Sequence, residues 1–282
     1  MRVELGEVAL EVQDSGVATT DGRAPVLLVH GFPDSHDLWR HQVAALNAAG
    51  YRTIAPDLRG FGGSDRPEGI EAYAPGHFVA DLVELLGRLD VDRFHLVGHD
   101  WGSGIAQGLA GTVPDRVASL SLLSVGNLGG MLSAGWEQLA RSWYMLLFRM
   151  EGLAEEWLSR DDFANLREML AEHPDRDERV EALREPGALT AALALYRTGL
   201  PPEVLFGPPL ELPPLPGPVL GVWSTGDRFL TEQSMTGTEK YVDGSWRYER
   251  VEGAGHWLPL DAPERVNELL LDFLAEHGSP ER

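Results

Sequence analysis

A candidate nucleophile lies where a predicted strand turns into a predicted helix. Residues 94–97 form a short apolar run, and the motif Gly98-His99-Asp100-Trp101-Gly102 follows it. Glycines on both sides allow a turn too tight for Cβ atoms, which presents the central side chain at the top of a sheet. A carboxylate there also lies near the positive end of the following helix. Asp100 is therefore the predicted covalent nucleophile, and the alternative is an ordinary helix N-cap.

A nucleophile of this kind needs backbone donors for the oxyanion that forms during the reaction. The segment His30-Gly31-Phe32-Pro33 follows another apolar run, residues 25–30, where such a loop is expected. The amides of Phe32 and Trp101 are the predicted oxyanion hole, and Pro33 is a candidate for a cis peptide bond. An ordinary turn at the end of a strand is the alternative interpretation.

A general base and an acid that orients it should follow the nucleophile along the chain. His256 lies in a glycine-rich loop after a predicted strand at 246–251, and Asp227 follows a predicted strand at 219–223. These two residues are the predicted base and acid. We expect His30 and His99, beside the catalytic positions, to support the loops.

These side chains require a sheet whose strands end at one edge. Apolar runs at 25–30, 52–56, 94–97, 117–125 and 219–223 alternate with helical patterns, which predicts a doubly wound, mostly parallel α/β sheet. The alternation stops after 125, and residues 128–212 show helical patterns rich in Trp, Leu and Met. A proline-rich stretch, 208–216, then returns the chain to a strand. We predict a core domain of residues 1–127 and 213–282, and a helical cap or lid of residues 128–212.

The motifs together resemble those of soluble-type epoxide hydrolases, which are α/β-hydrolases close to the haloalkane dehalogenases. The resemblance spans the catalytic domain and rests on His30-Gly31-Phe32-Pro33, Arg59-Gly60-Phe61-Gly62-Gly63-Ser64-Asp65, Gly98-His99-Asp100-Trp101-Gly102 and Gly255-His256-Trp257. It implies an α/β-hydrolase fold. It also implies two cap tyrosines that donate to the epoxide oxygen, and the matching segments carry Tyr144 and Tyr196. The alternative is that both tyrosines only pack within the cap.

Aspartate at the elbow indicates displacement at an alkyl carbon, because the resulting ester can be hydrolysed by water that His256 activates. Epoxide opening to a vicinal diol is the main hypothesis, and haloalkane dehalogenation by the same route is its main rival. Dehalogenases commonly carry Asn after the His-Gly of the oxyanion loop, where this chain has Phe32. Two further hypotheses are a ligand-binding protein that has kept the fold and a carboxylesterase. The aspartate at position 100 argues against the carboxylesterase.

The composition restricts partners and cofactors. A net charge of −21, from 23 basic and 44 acidic residues, argues against binding to nucleic acid or to an anionic membrane surface. The chain has no cysteine, and no metal or redox cofactor is expected. The N-terminus lacks the pattern of a signal peptide, and no apolar run is long enough to span a membrane. We expect a cytoplasmic monomer or homodimer that acts on a small hydrophobic epoxide.

Overall fold

The core of the molecule is a mostly parallel sheet. The computed structural model describes residues 1–16, 23–207 and 212–278. The strands are β1 Arg2–Glu4, β2 Ala9–Ser15, β3 Val26–Val29, β4 Thr53–Pro56, β5 Phe94–His99, β6 Val117–Leu123, β7 Leu215–Pro216, β8 Val219–Ser224, β9 Val242–Asp243 and β10 Trp246–Val251. Eight of them pair in the order β1-β2-β4-β3-β5-β6-β8-β10, and a separate two-stranded ribbon pairs β7 with β9. Only the pairs β1–β2 and β2–β4 of the large sheet are antiparallel.

Helices cover this sheet and form a long segment between β6 and β7. The helices are α1 Arg40–Ala48, α2 Pro75–Arg88, α3 Trp101–Thr112, α4 Leu128–Ser133, α5 Gly135–Arg141, α6 Trp143–Phe148, α7 Leu153–Met169, α8 Arg176–Arg184, α9 Ala188–Gly199, α10 Pro202–Phe206, α11 Glu232–Thr236, α12 Leu258–Asp261 and α13 Pro263–His277. Non-helical backbone interrupts α7 at Arg160 and the three residues that follow. The described part contains no helix that is both long and apolar enough to cross a membrane.

The central strands have the sequences that burial on both faces requires. Every residue of β3 and β5 is buried, and apart from His95 and His99 their residues are apolar or glycine. The predicted doubly wound, mostly parallel sheet is confirmed. The N-terminal residues form a hairpin of β1 and β2 around Gly6, and α3 begins at Trp101, directly after Asp100. Residues 208–211 of the proline-rich stretch lie outside the described residues.

The motif that starts at Arg59 and ends at Asp65 holds the scaffold together. Both Arg59 and Asp81 of α2 are buried, and they form two parallel hydrogen bonds of 2.7 and 2.6 Å. Ser64 and Asp65 accept the backbone amides of Glu11 and Ala9 in β2 at 2.9 and 2.8 Å. These charge-assisted and backbone contacts join the hairpin, the loop after β4 and α2.

The helical segment between β6 and β7 packs over the carboxyl ends of the central strands. Helix α9 is its most buried member, with nine of its twelve residues shielded from solvent. Its Thr198 hydroxyl donates to the carbonyl of Tyr73 in the core at 2.7 Å. The apolar sequence of α9 therefore serves as an interior layer between the core and the outer helices.

Candidate active site

Asp100 occupies a strained turn between β5 and α3. Its φ and ψ are 53° and −126°. A Cβ on Gly98 would lie 2.6 Å from the Gly102 carbonyl carbon, and one on Gly102 would lie 2.6 Å from the Val29 carbonyl carbon. Both glycines are therefore required by the close approach of backbone. Asp100 stands at the N-cap position of α3 but makes no side-chain capping bond, so its carboxylate remains directed at the site.

The loop after β3 brings a backbone donor to this carboxylate. The Phe32 amide donates to Asp100 Oδ1 at 2.8 Å, and the Phe32–Pro33 peptide is cis, as expected. A Cβ on Gly31 would lie 2.6 Å from Asp100 Cβ and 2.7 Å from the Trp101 amide nitrogen. The two amides predicted as an oxyanion hole, of Phe32 and Trp101, thus lie close to the Asp100 carboxylate.

His30 holds that loop in place through hydrogen bonds of its ring. Its Nε2 accepts the Leu58 amide at 3.0 Å, so its Nδ1 carries the proton that is donated to the Gly31 carbonyl at 2.9 Å. Burial lowers the pKa of His30, which keeps the ring neutral and this tautomer in place. The contact joins the loops after β3 and β4.

His256 links Asp100 to Asp227. Its Nε2 lies 3.5 Å from Asp100 Oδ2, and its Nδ1 donates to Asp227 Oδ2 at 2.9 Å. Asp227 Oδ1 accepts the amides of Phe229 and Leu230 at 2.8 and 2.9 Å. Burial lowers the pKa of His256, but the charges and hydrogen bonds of Asp227 and Asp100 outweigh it and raise the pKa to about 10. The ring is therefore an imidazolium at neutral pH.

Two side chains hold the backbone of His256. His99 Nε2 donates to the His256 carbonyl at 2.9 Å, and the Ser124 hydroxyl donates to the same oxygen at 2.6 Å. Burial and then the charge of His256 lower the pKa of His99 to about 4, so the His99 ring stays neutral. His99 thus supports the loop, as expected. The contact of Ser124 was not predicted, because this residue lies within a predicted strand and outside every motif.

Tyr144 of α6 and Tyr196 of α9 face the same cavity as Asp100. Both rings are buried, and their centroids lie 6.2 Å apart. Tyr196 packs edge-on against Trp101 and Phe32, at centroid distances of 5.0 and 5.6 Å. Burial and then the charge of Asp100 raise the pKa of both phenols well above its usual value. Both therefore keep their protons and can donate hydrogen bonds at neutral pH.

The cavity beside Asp100 is small and mostly aromatic. Its volume is about 20 Å³, which is room for about one water molecule. Its walls are Phe32, Asp100, Tyr144, Met169, Leu170, Tyr196, Phe229, His256 and Trp257. No pattern in the sequence indicated Met169, Leu170 and Phe229, because their placement depends on how the helical segment packs.

A larger groove lies elsewhere on the molecule. It measures about 400 Å³ and runs between α8 and the loops after β3 and β4. None of its lining residues belongs to the predicted catalytic set, whereas the small cavity contains Asp100, His256 and both tyrosines. We therefore take the small cavity, and not the larger groove, as the candidate active site. Among the described residues no group of three His, Asp or Glu side chains is placed to hold a metal ion.

Comparison with known proteins agrees with this fold. Residues 24–263 match the family model for the alpha/beta hydrolase fold. The chain is 35% identical to epoxide hydrolase 3 of Xenopus tropicalis, over 95% of this chain and 77% of that protein. It is 32% identical to epoxide hydrolase A of Mycobacterium tuberculosis, over 96% of each. A Bacillus megaterium epoxide hydrolase bound to an inhibitor superimposes with a TM-score of 0.85 at 27% identity, over 98% of this chain and all of that one. The chain belongs to the α/β-hydrolase family and, within it, to the epoxide hydrolases.

Proposed function

We propose that this enzyme hydrolyses a small apolar epoxide to a vicinal diol through a covalent ester on Asp100. The observation that carries the proposal is the pair of buried phenols, Tyr144 and Tyr196, that share a cavity with a carboxylate. Their raised pKa values keep them protonated, and an epoxide oxygen needs proton donors as its bond to carbon breaks. The aromatic walls favour an apolar substrate.

Ring opening uses the oxygen of Asp100 that faces His256. Because the Phe32 amide binds Oδ1, Oδ2 is the free oxygen that attacks an epoxide carbon. The carbon–oxygen bond of the ring breaks, and a phenol transfers its proton to the departing oxygen. The products are a glycol monoester on Asp100 and a phenolate, which the His256 imidazolium reprotonates.

Ester formation prepares His256 for the second step. It removes the Asp100 charge, one of the causes that raise the pKa of His256, while burial continues to lower it. The neutral ring then takes a proton from water, and the hydroxide attacks the carbonyl carbon of the ester. The amides of Phe32 and Trp101 stabilise the oxyanion. Collapse breaks the ester bond, the acid proton moves to the diol, and Asp100 and the imidazolium are restored.

The decisive experiment is one turnover in heavy-oxygen water, with enzyme in excess over styrene oxide. Water attacks the Asp100 carbonyl, so the heavy oxygen should appear in the peptide that contains Asp100, and the first diol should be unlabelled. Peptide mass spectrometry measures both. Label found only in the diol would contradict the covalent route. Release of bromide from 1-bromobutane, without turnover of any epoxide, would instead support the dehalogenase hypothesis.

We also propose that residues 128–212 act as a cap over a core of residues 1–127 and 213–282. The support is that the small cavity has walls from both parts, with Tyr144 and Tyr196 from the first and Asp100 and His256 from the second. A cytoplasmic location and a monomeric or dimeric state stay predictions from the sequence. Size-exclusion chromatography with light scattering tests the oligomeric state.

A further inference from the structure

Helix α5 of the proposed cap forms hydrogen bonds with the loop that carries Asp227. We call residues 227–231 the acid loop. Arg141 Nη1 donates to the carbonyls of Asp227 and Leu230 at 2.7 and 2.9 Å. Gln138 Nε2 donates to the Phe229 carbonyl at 2.9 Å, and Gln138 Oε1 accepts the amide and hydroxyl of Thr231 at 2.8 and 3.1 Å. Two side chains of α5 thus make five hydrogen bonds to four of the five residues of the acid loop.

These bonds act on the catalytic acid through the backbone. The Asp227 carboxylate is held by the amides of Phe229 and Leu230, so a shift of that backbone moves the carboxylate and changes its bond to His256. Gln138 is buried, with only 3% of its surface exposed. The buried side-chain amide of Gln138 both donates and accepts hydrogen bonds, so the geometry of the contact is specific. Breaking it would leave buried polar groups without partners, which is costly in free energy.

The same helix also leads directly to a proposed proton donor. Gln138 Nε2 donates to the Ser142 hydroxyl at 3.0 Å, and Ser142 immediately precedes α6, which carries Tyr144. The Phe229 ring packs against both Tyr144 and His256, at centroid distances of 5.5 and 5.1 Å. One cluster of contacts therefore connects a group proposed for ring opening with the groups proposed for ester hydrolysis.

We propose that Arg141 and Gln138 are positioning residues, which hold the acid loop so that Asp227 orients His256 for ester hydrolysis. The inference rests on the ester route proposed above. Arg141 acts mainly on the second step, because ring opening depends on Asp100, and the Phe32 amide holds Asp100 from the opposite loop. Loss of the Arg141 donors should slow hydrolysis of the ester more than its formation.

The test compares Arg141→Met, which has similar length and no donors, with Arg141→Lys, which keeps one donor group. Styrene oxide is mixed rapidly with each enzyme, the reaction is quenched, and the ester on Asp100 is quantified by mass spectrometry. For Arg141→Met we expect kcat to fall by about 10- to 100-fold, as for a misplaced catalytic group. The ester should form at nearly the wild-type rate and accumulate, so KM falls as well. Arg141→Lys should recover much of kcat.

Arg160→Ala is the matched control, because Arg160 is an exposed arginine of α7 whose side chain bonds only Glu156 among the described residues. It should behave like the wild type. If Arg141→Met fails to fold, Gln138→Glu tests the acid loop through its other contacts, since glutamate can still accept from Thr231 but can no longer donate to the Phe229 carbonyl or to the Ser142 hydroxyl. This variant should also accumulate ester.

The pH profile of kcat provides a readout that a purely structural defect would not move. Asp227 raises the pKa of His256, so a displaced Asp227 raises it less. The rising limb of the profile should therefore shift to lower pH in Arg141→Met. Equal losses in ester formation and hydrolysis, with no accumulation and no shift, would overturn this inference. Diol formation without any ester, in the wild type and all variants, would overturn the proposed function instead.

Discussion

Replacement of Gly31 by alanine should disable the oxyanion hole without disturbing the rest of the fold. The added Cβ would lie 2.6 Å from Asp100 Cβ, whereas carbon atoms in contact are normally about 3.5–4.0 Å apart. The loop or the elbow must therefore move by about 1 Å, which takes the Phe32 amide away from Asp100 Oδ1. Loss of one such donor lowers kcat by about 100- to 1000-fold, which corresponds to about 3–4 kcal/mol of transition-state stabilisation.

Gly104→Ala provides the control for this experiment. Gly104 lies in α3, four residues after Asp100, and a Cβ there would meet no atom within 4 Å. Alanine favours a helix over glycine by about 1 kcal/mol, so this variant should keep its activity and be slightly more stable. Steady-state hydrolysis of styrene oxide and thermal unfolding would be measured for both variants.

The two variants separate local geometry from global stability. A folded Gly31→Ala protein that turns over styrene oxide at nearly the wild-type rate would refute the assignment of the Phe32 and Trp101 amides. A loss of activity that merely follows a loss of folded protein would also contradict it, because the predicted defect is confined to the site.

Two further predictions concern the tyrosines and the imidazole. Tyr196→Phe and Tyr144→Phe should each slow ester formation by about 100-fold, since each removes a proton donor, and unchanged burst rates would argue against ring opening by these phenols. The pKa of His256 is raised from 6.5 to about 10, so its contribution to stability is complete below pH 6.5 and is lost as the pH rises through 10. The advantage of the wild type over His256→Gln in urea unfolding should therefore shrink by a few kcal/mol between those pH values; a constant difference would contradict the raised pKa.

The core of the site could be predicted because its residues are tied to strand ends. A carboxylate in a Gly-x-Asp-x-Gly turn, and a histidine and an aspartate after later strands, must meet at one edge of a parallel sheet. Asp100, Asp227 and His256 therefore follow from local sequence and topology. Tyr144 and Tyr196 depended on resemblance, because nothing in a helical pattern says which of its faces will cover a distant carboxylate.

The remaining contacts depend on packing between segments that are far apart in the chain. Gln138 and Arg141 form hydrogen bonds with backbone groups about ninety residues away in the chain. Every residue has such backbone groups, so the sequence does not show which of them a side chain will reach. Met169 and Leu170, at the C-terminal end of α7, line the cavity together with residues of distant segments such as Trp257. Such contacts can be identified only once the packing of the helical segment on the sheet is known.

The size of the cavity has a consequence for how tightly substrates bind. A space of about 20 Å³ is smaller than an epoxide such as styrene oxide, so binding should select a conformation in which the walls of the cavity have moved apart. The apparent dissociation constant is then the intrinsic constant divided by the fraction of open molecules. Weak binding of a good substrate would reflect this equilibrium rather than poor contacts. Shorter side chains at Met169 and Leu170, two of these walls, should raise the affinity for bulky epoxides by increasing the open population.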